Sequence, residues 1–369
     1  MAALITGLVA AVAIGLAVVG VLTAARAIEP AARPSLGASA APPTVPARAP
    51  SAPVPTTSPP AATVTMAFAG DVHFAGRTAT LLAEDPASAM GPVAGVLGAA
   101  DIAMVNLETA ITERGTPEPK QFTFRAPPSA FTALRAAGVD VTTMANNHGA
   151  DFGRVGIEDT LAAIASTGFP TVGIGRNAGQ AYSPYLLTAR GHTVAILGAS
   201  QIRDRTLAAW TAGAASPGIA SAYSDRLVAA VRAARRQAEI VVVYVHWGVE
   251  GDSCPTAEMR TLAAALSAAG ADAVVGTHAH LLLGGGYLDR TYVGYGLGNF
   301  LWWRDAAFSN DTGVLRLTFR GRQVVAADLV PARIDDRGVP VPATGGAASR
   351  IRTKFAGLQA CTELAPRAG

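Results

Sequence analysis

The chain has 369 residues, half of them hydrophobic, enough for one large domain or two small ones with a real core. Its formal net charge is +3 with only 15% charged residues. That balance is too weak for a nucleic-acid binder, and no Lys/Arg cluster with interleaved aromatics occurs. The two cysteines, Cys254 and Cys361, match no zinc spacing; in an oxidising compartment they could pair if geometry allows, and otherwise they are ordinary small residues.

Residues 2–25 carry no charge and are rich in Ala, Val, Leu, Ile and Gly. At about 1.5 Å per residue, such a run crosses a hydrocarbon core of about 30 Å. Residues 1–28 are therefore expected to be a transmembrane anchor, or a signal segment, since Ala25-Arg26-Ala27 has the small-x-small form of a cleavage site. Arg26, Arg33 and Arg48 follow the span, so charge bias does not set its orientation. The expectation is a single-pass cell-membrane protein with its domain extracytoplasmic, or a secreted one if the signal is cleaved. Residues 29–62 are Pro, Ala, Ser and Thr with almost no large apolar side chain, a disordered linker that lifts the domain off the membrane.

The folded domain is expected over 63–335, followed by a C-terminal tail at 336–369. Apolar runs and alternation predict strands at 64–69, 102–105, 139–144, 171–174, 193–197, 240–245, 273–275 and 291–296. Helical spacing covers 128–137, 155–167, 224–237 and 255–269, and a hairpin-like pair at 314–319 and 324–330 closes the domain. Strands alternating with helices argue for an α/β protein with parallel pairing. The late β-only stretch suggests a second, more antiparallel sheet packed on the first.

Five of the six histidines fall in short segments that follow β-favouring runs, where strands hand over to loops. Function in parallel sheets sits at such carboxyl ends. The segments are Gly70-Asp71-Val72-His73, Asn106-Leu107-Glu108, Asn146-Asn147-His148, His246-Trp247-Gly248 and His278-Ala279-His280. Imidazole, carboxylate and amide oxygens together suit a pair of divalent cations. Singly, each has a plain structural reading. Asp71 and His73 fit a capping Asp and a surface His, Glu108 a helix-start carboxylate, His246 a satisfied core histidine. Asn146, Asn147 and His148 directly after a buried strand are costly unless paired or ligating. His278 and His280 lie between Gly276 and the glycines 284–286, which permit close backbone approach. His192 sits at a turn and is assigned no role.

In this order, with Gly296-Leu297-Gly298-Asn299-Phe300, the motifs resemble the bacterial capsule-synthesis proteins of the poly-γ-glutamate type, called CapA-like, over about residues 64–305. These are similar to the calcineurin-like metallophosphoesterase superfamily. The resemblance implies a four-layer α/β/β/α metallophosphatase-like sandwich with a dinuclear centre. It assigns Asp71, His73 and His280 to one divalent ion, Asn147, His246 and His278 to the other, and Glu108 to the bridge. Mn, Fe, Zn and Co all suit such mixed donors. His148 is implied as general acid or phosphate-orienting group. Glu108 stands where the phosphoesterases usually have Asp, His73 where many family members lack a histidine, and Ala279 where the family often has Pro.

Asp151 either orients His148 or caps the helix beginning near Arg154, and Arg125 either contacts an anionic substrate or is a solvated surface residue. The functional expectation is an extracytoplasmic, metal-dependent hydrolase acting on a phosphoester in capsule, poly-γ-glutamate or envelope polymer synthesis. The alternative is a non-hydrolytic accessory that binds or exports an anionic polymer within a synthesis complex. A third reading has the centre as the vestige of an interaction protein, against which all seven candidate ligands and His148 are retained.

Overall fold

The computed structural model describes residues 62–369. The expected anchor or signal at 1–28, and all but the last residue of the linker at 29–62, lie outside the described residues. Among the described residues no helix is long and apolar enough to cross a membrane.

Five strands carry the motifs: β1 (Thr63–Val72), β2 (Ile102–Leu107), β3 (Val141–Thr143), β4 (Ile240–Trp247) and β5 (Ala273–His278). A strand's side chains alternate between its two faces, and here both faces are buried. Val64, Met66 and Phe68 of β1 share one cluster with Ile240, Val242 and Tyr244 of β4, a layer between two sheets. The alternate residues face helices. Ala67 and Ala69 pack with Leu81, Phe131, Leu134 and Ile157, from the helices Arg77–Glu84, Ser129–Ala136 and Gly153–Thr167. Val241, Val243 and Val245 pack with Leu227, Val231, Leu262 and Leu266, from the helices Asp225–Arg235 and Ala257–Ala269. The chain is an α/β fold in which two stacked sheets are covered outside by helices.

The first sheet runs, edge to edge, Pro340–Pro342, Gln323–Ile334, Asp311–Arg320, β1, β2, β3 and Thr171–Val172, with Asn299–Leu301 also pairing with β1. The second runs Leu282–Leu288, Thr291–Leu297, β5, β4, His192–Ser200 and Tyr185–Ala189. The late hairpin therefore does not start a sheet of its own. Its strand Asp311–Arg320 lies antiparallel to β1, from Thr63 opposite Arg320 to Phe68 opposite Leu315, and extends the first sheet. Leu315, Leu317 and Phe319 place its apolar face in the same middle layer as Met66 and Phe68. The second sheet is parallel through its centre and antiparallel only at its edges.

The run expected as one strand at 171–174 is broken at Gly173, which has φ +83°. Thr171–Val172 pairs with β3, whereas Ile174–Gly175 pairs with Gly218–Ile219. A Cβ at Gly173 would come within 2.4 Å of the Ala145 Cβ, so only glycine admits the break.

The segment read as a C-terminal tail contains a strand, Pro340–Pro342, and a helix, Gly345–Gly357. Beyond them Ala365 exchanges backbone hydrogen bonds with Tyr287 at the edge of the second sheet, 2.7 and 2.9 Å. Gly284 and Gly286 serve this packing: a Cβ at Gly284 would meet the Leu358 backbone at 2.5 Å, and one at Gly286 the Ala365 carbonyl at 2.7 Å. Cys254 and Cys361, left open by the sequence, are disulfide-bonded across 107 residues. Closing so long a loop restricts the unfolded chain. Replacing both cysteines by Ser should lower stability by about 2–4 kcal/mol, read from denaturant unfolding against wild type under oxidising conditions. Equal stability of the two proteins would refute this.

Candidate metal centre

The columns of the middle layer end in polar residues. On β2, Asn106 continues the face of Ile102 and Met104; on β4, His246 continues the face of Ile240, Val242 and Tyr244. On β1 the pairing with β2 slips between Phe68 and Asp71, after which Asp71 lies opposite Asn106. Below them the Tyr244 hydroxyl donates to the Ala69 carbonyl across the two sheets at 2.6 Å. The carboxyl ends of both sheets therefore meet over a sealed apolar floor.

Glu108 occupies the middle of this end. Its Oε2 lies 3.0 Å from His73 Nε2, and its Oε1 lies 3.3 Å from His246 Nε2. His246 Nε2 is 2.7 Å from Asn147 Oδ1 and 3.0 Å from His278 Nδ1. Asp71 Oδ2 is 3.4 Å from His280 Nδ1. Two groups of donor atoms, Glu108, His246, His278 and Asp71, Glu108, His280, each lie within 4.8 Å of one another, and Glu108 belongs to both. His278 and His280 both have positive φ, 100° and 59°. For non-glycine residues this costs about 1–3 kcal/mol each and is kept where a site demands it.

Such a cluster is unfavourable as bare protein. Asp71, His73, Glu108 and His246 are wholly buried. His73 Nδ1, Glu108 Oε1 and His280 Nδ1 have no hydrogen-bond partner. Each unpaired buried polar atom costs on the order of 1–3 kcal/mol. Divalent cations satisfy orphaned nitrogen and carboxylate lone pairs, and the two donor groups around Glu108 fit such ions.

The electrostatics favour the ligand forms of His278, His73 and Glu108. Burial pushes His278 well down, helped by His246 and His280, and burial lowers His73. Burial opposes the Glu108 charge, but His246 and His73 outweigh it and hold the carboxyl well below the usual range. His280 differs. Burial works against its charge, yet the Asp71 carboxylate, too poorly aligned for a full hydrogen bond, and Glu108 raise it to about 9.

Beside the cluster, His148 Nδ1 lies 2.6 Å from Asp151 Oδ2. Asp151 is wholly buried and also accepts from the Phe124 N–H at 2.7 Å and from Lys120 Nζ at 2.6 Å. It does not cap the following helix, whose N-cap is Phe152 with no side-chain bond. Arg125 is not brought into the group. It is exposed, its guanidinium lies 3.7 Å over the Phe152 ring, and it donates to the Glu113 carbonyl.

Several residues of the centre carry no role in the sequence reading. Asn106 Nδ2 donates to Asp71 Oδ1 at 2.8 Å and lies 3.1 Å from His246 Nδ1, while its Oδ1 accepts from Asn146 Nδ2 at 2.9 Å. Asn146 in turn accepts from the His148 N–H at 3.0 Å. The two-residue period from Ile102 was the signal that could have placed Asn106. Trp302 meets the rings of His73 and His280, each at 4.7 Å between centroids, and Phe124 meets His73 at 4.4 Å and His148 at 4.6 Å. Lys120 and Phe124 lie in an irregular loop, where no periodicity marks them.

His280 in the metal-free protein carries a proton up to about pH 9. A ligating imidazole is neutral, so loading must expel that proton. Apparent affinity for Mn²⁺ should therefore rise with pH below 9, about tenfold per unit for this one proton. Calorimetric titration in buffers of different ionisation enthalpy measures the release; affinity flat between pH 6 and 8.5 would exclude it.

The family described as bacterial capsule synthesis protein PGA_cap matches residues 65–302, a span that takes in every residue of the centre. The capsule biosynthesis protein CapA of Bacillus anthracis is 32% identical over 216 residues, 58% of this chain and 52% of that protein. The PGA biosynthesis protein CapA of Bacillus subtilis (strain 168) is 30% identical over 210 residues, 57% of this chain and 54% of that protein. The chain thus spans about half the length of the curated relatives it matches. Among solved structures, the NAD nucleotidase of Haemophilus influenzae has a TM-score of 0.46 at 12% identity, covering 84% of this chain and 65% of that one. The chain belongs to the bacterial capsule synthesis protein PGA_cap family.

Proposed function

We propose that the protein is a metal-dependent phosphoester hydrolase of capsule, poly-γ-glutamate or envelope polymer synthesis, with two divalent ions at the centre. The observation that carries this reading is Glu108 shared by two buried donor groups, with the His148–Asp151 pair alongside. Asp71, His73 and His280 would hold one ion and Asn147, His246 and His278 the other, bridged by Glu108. Bound ions of this kind lower the pKa of water towards neutrality and take up charge on phosphoryl oxygens.

The chain's own residues supply the rest. Asp151 fixes His148 through Nδ1, which leaves Nε2 to give a proton to a leaving oxygen, an aid worth about 10²–10⁴ in rate. Asn106 holds Asp71 and His246 in place from behind, as outer partners of ligands do. Phe124 and Trp302 wall His73 and His148 with apolar rings that keep water out.

One observation favours the non-hydrolytic alternative, an accessory that binds or exports an anionic polymer. Arg304 is exposed, makes no ion pair among the described residues, and lies over the rings of Phe122 and Trp303 at 5.3 and 4.9 Å. Those rings lead through Phe124 to His148. An unpaired guanidinium at this lip suits a carboxylate or phosphate group.

We place the domain outside the cell, tethered through the N-terminal segment to a membrane-bound polymer synthesis or export complex. The Cys254–Cys361 bond supports an oxidising compartment.

The purified chain supplied with Mn²⁺ should hydrolyse a generic phosphodiester or phosphomonoester, and Asp71→Ala and His246→Ala should each lose at least about 10²-fold. Turnover that survives both substitutions overturns the hydrolytic reading; stoichiometric metal without turnover selects the accessory one. Protease added to intact cells should cleave the domain, and full protection would reverse the topology.

A further inference from the structure

We propose that Lys120 is a positioning residue that sets His148 for proton delivery, an inference that rests on the hydrolytic reading above. Lys120 belongs to the irregular stretch between the short paired strands Ala110–Ile111 and Arg125–Ala126. Its side chain is only 12% exposed, and lysines are rarely buried unless paired. The ammonium donates to Asp151 Oδ1 at 2.6 Å, to the Asn147 carbonyl and to Thr206 Oγ1 at 3.3 Å, with Asp204 Oδ2 at 3.8 Å. Thr206 Oγ1 itself donates to the Asn147 carbonyl at 2.6 Å.

One charge therefore touches both handles of His148: the carboxylate that grips its ring, and the peptide that precedes it. Asn147 is also the residue whose side chain meets His246, so the same ammonium ties the proton donor to the donor-atom cluster. The stretch closes on Asp151 at three points. Glu118 N–H donates to its carbonyl at 2.8 Å, Lys120 to Oδ1, and Phe124 N–H to Oδ2. Removing Lys120 leaves Asp151 Oδ1 buried without a partner, and the carboxylate that grips His148 Nδ1 is then held by the Phe124 N–H alone. A misplaced acid costs rate only when the leaving group needs its proton.

In the hydrolysis, the oxygen of water forms the new P–O bond while the bond to the leaving oxygen breaks. That oxygen takes the proton from His148 Nε2, and the proton lost by water passes through solvent to restore His148. A nitrophenolate departs without help, whereas an alkoxide must be protonated. The two ester types thus separate a positioning role from a merely structural one.

The test compares wild type, Lys120→Met and Lys120→Arg as purified full chains loaded with Mn²⁺. Each is assayed on a nitrophenyl phosphodiester and on an alkyl phosphodiester, with bound metal and thermal unfolding recorded. For Lys120→Met, kcat on the alkyl ester should fall about 10²-fold while the nitrophenyl ester changes only several-fold. Lys120→Arg, which keeps the charge and alters its reach, should show the same ordering in milder form. If Lys120→Met fails to fold or load, the ratio for Lys120→Arg decides. Equal losses on both esters, or none, overturn the positioning role while leaving the hydrolytic reading intact. A wild type that cleaves neither ester overturns both.

Discussion

A carboxylate sealed from water beside facing imidazoles is the constraint around which this molecule is organised. Glu108 has no solvent to share its charge, and His73 and His246 approach its two oxygens from different parts of the chain. Burial alone would drive the proton back onto the carboxyl, but the neighbouring rings reverse that preference. Among the described residues, buried atoms of His73, Glu108 and His280 lack protein partners at this centre, as do atoms of Asn299, Trp302, Asn310 and Thr312. A centre built for cations accounts for the atoms of His73, Glu108 and His280.

The rest of the architecture delivers these groups to one place. Two sheets stacked through a dry middle layer bring the ends of β1, β2, β4 and β5 together from opposite sides. The same two-residue period that sends Val242 and Tyr244 into the layer sends His246 to its end. Asn106 and Asn146 then tie Asp71, His246 and the backbone of His148 into one hydrogen-bonded frame. His278 and His280 are two of the five non-glycine residues with positive φ among the described residues, the others being Arg190, Asp289 and Glu363, and the φ of His278, 100°, is the largest of them.

Covalent and backbone ties reach the same region from the far end of the chain. The Cys254–Cys361 bond anchors the loop that follows β4 to the C-terminal segment, which itself pairs with Tyr287 on the second sheet. Gly251 N–H, in that loop, donates to the Ala279 carbonyl at 3.0 Å, between the two strained histidines. The wall next to His280 is therefore held from two directions.

Much of this was legible in the residues. Alternating apolar runs marked the strands, and polar residues that would waste burial at strand ends marked the cluster, because local spacing and the cost of burying polar groups act within a few residues. The sequence leaves Asp151 between two roles, and the two cysteines between two states, because each choice depends on which atoms the folded backbone brings within about 3 Å. The late hairpin joined the first sheet because Leu315 and Phe319 complete the layer begun by Met66, a pairing across some 250 positions that periodicity does not encode. Lys120 is the clearest case: in the sequence it is a lysine in a polar loop, and only the folded chain buries it against Asp151. Residue types and their local spacing are enough to say which side chains could serve a metal centre and on which strand ends they stand. Tertiary structure alone decided which oxygen meets which nitrogen, because hydrogen bonds and ion pairs are set by distances that only packing defines.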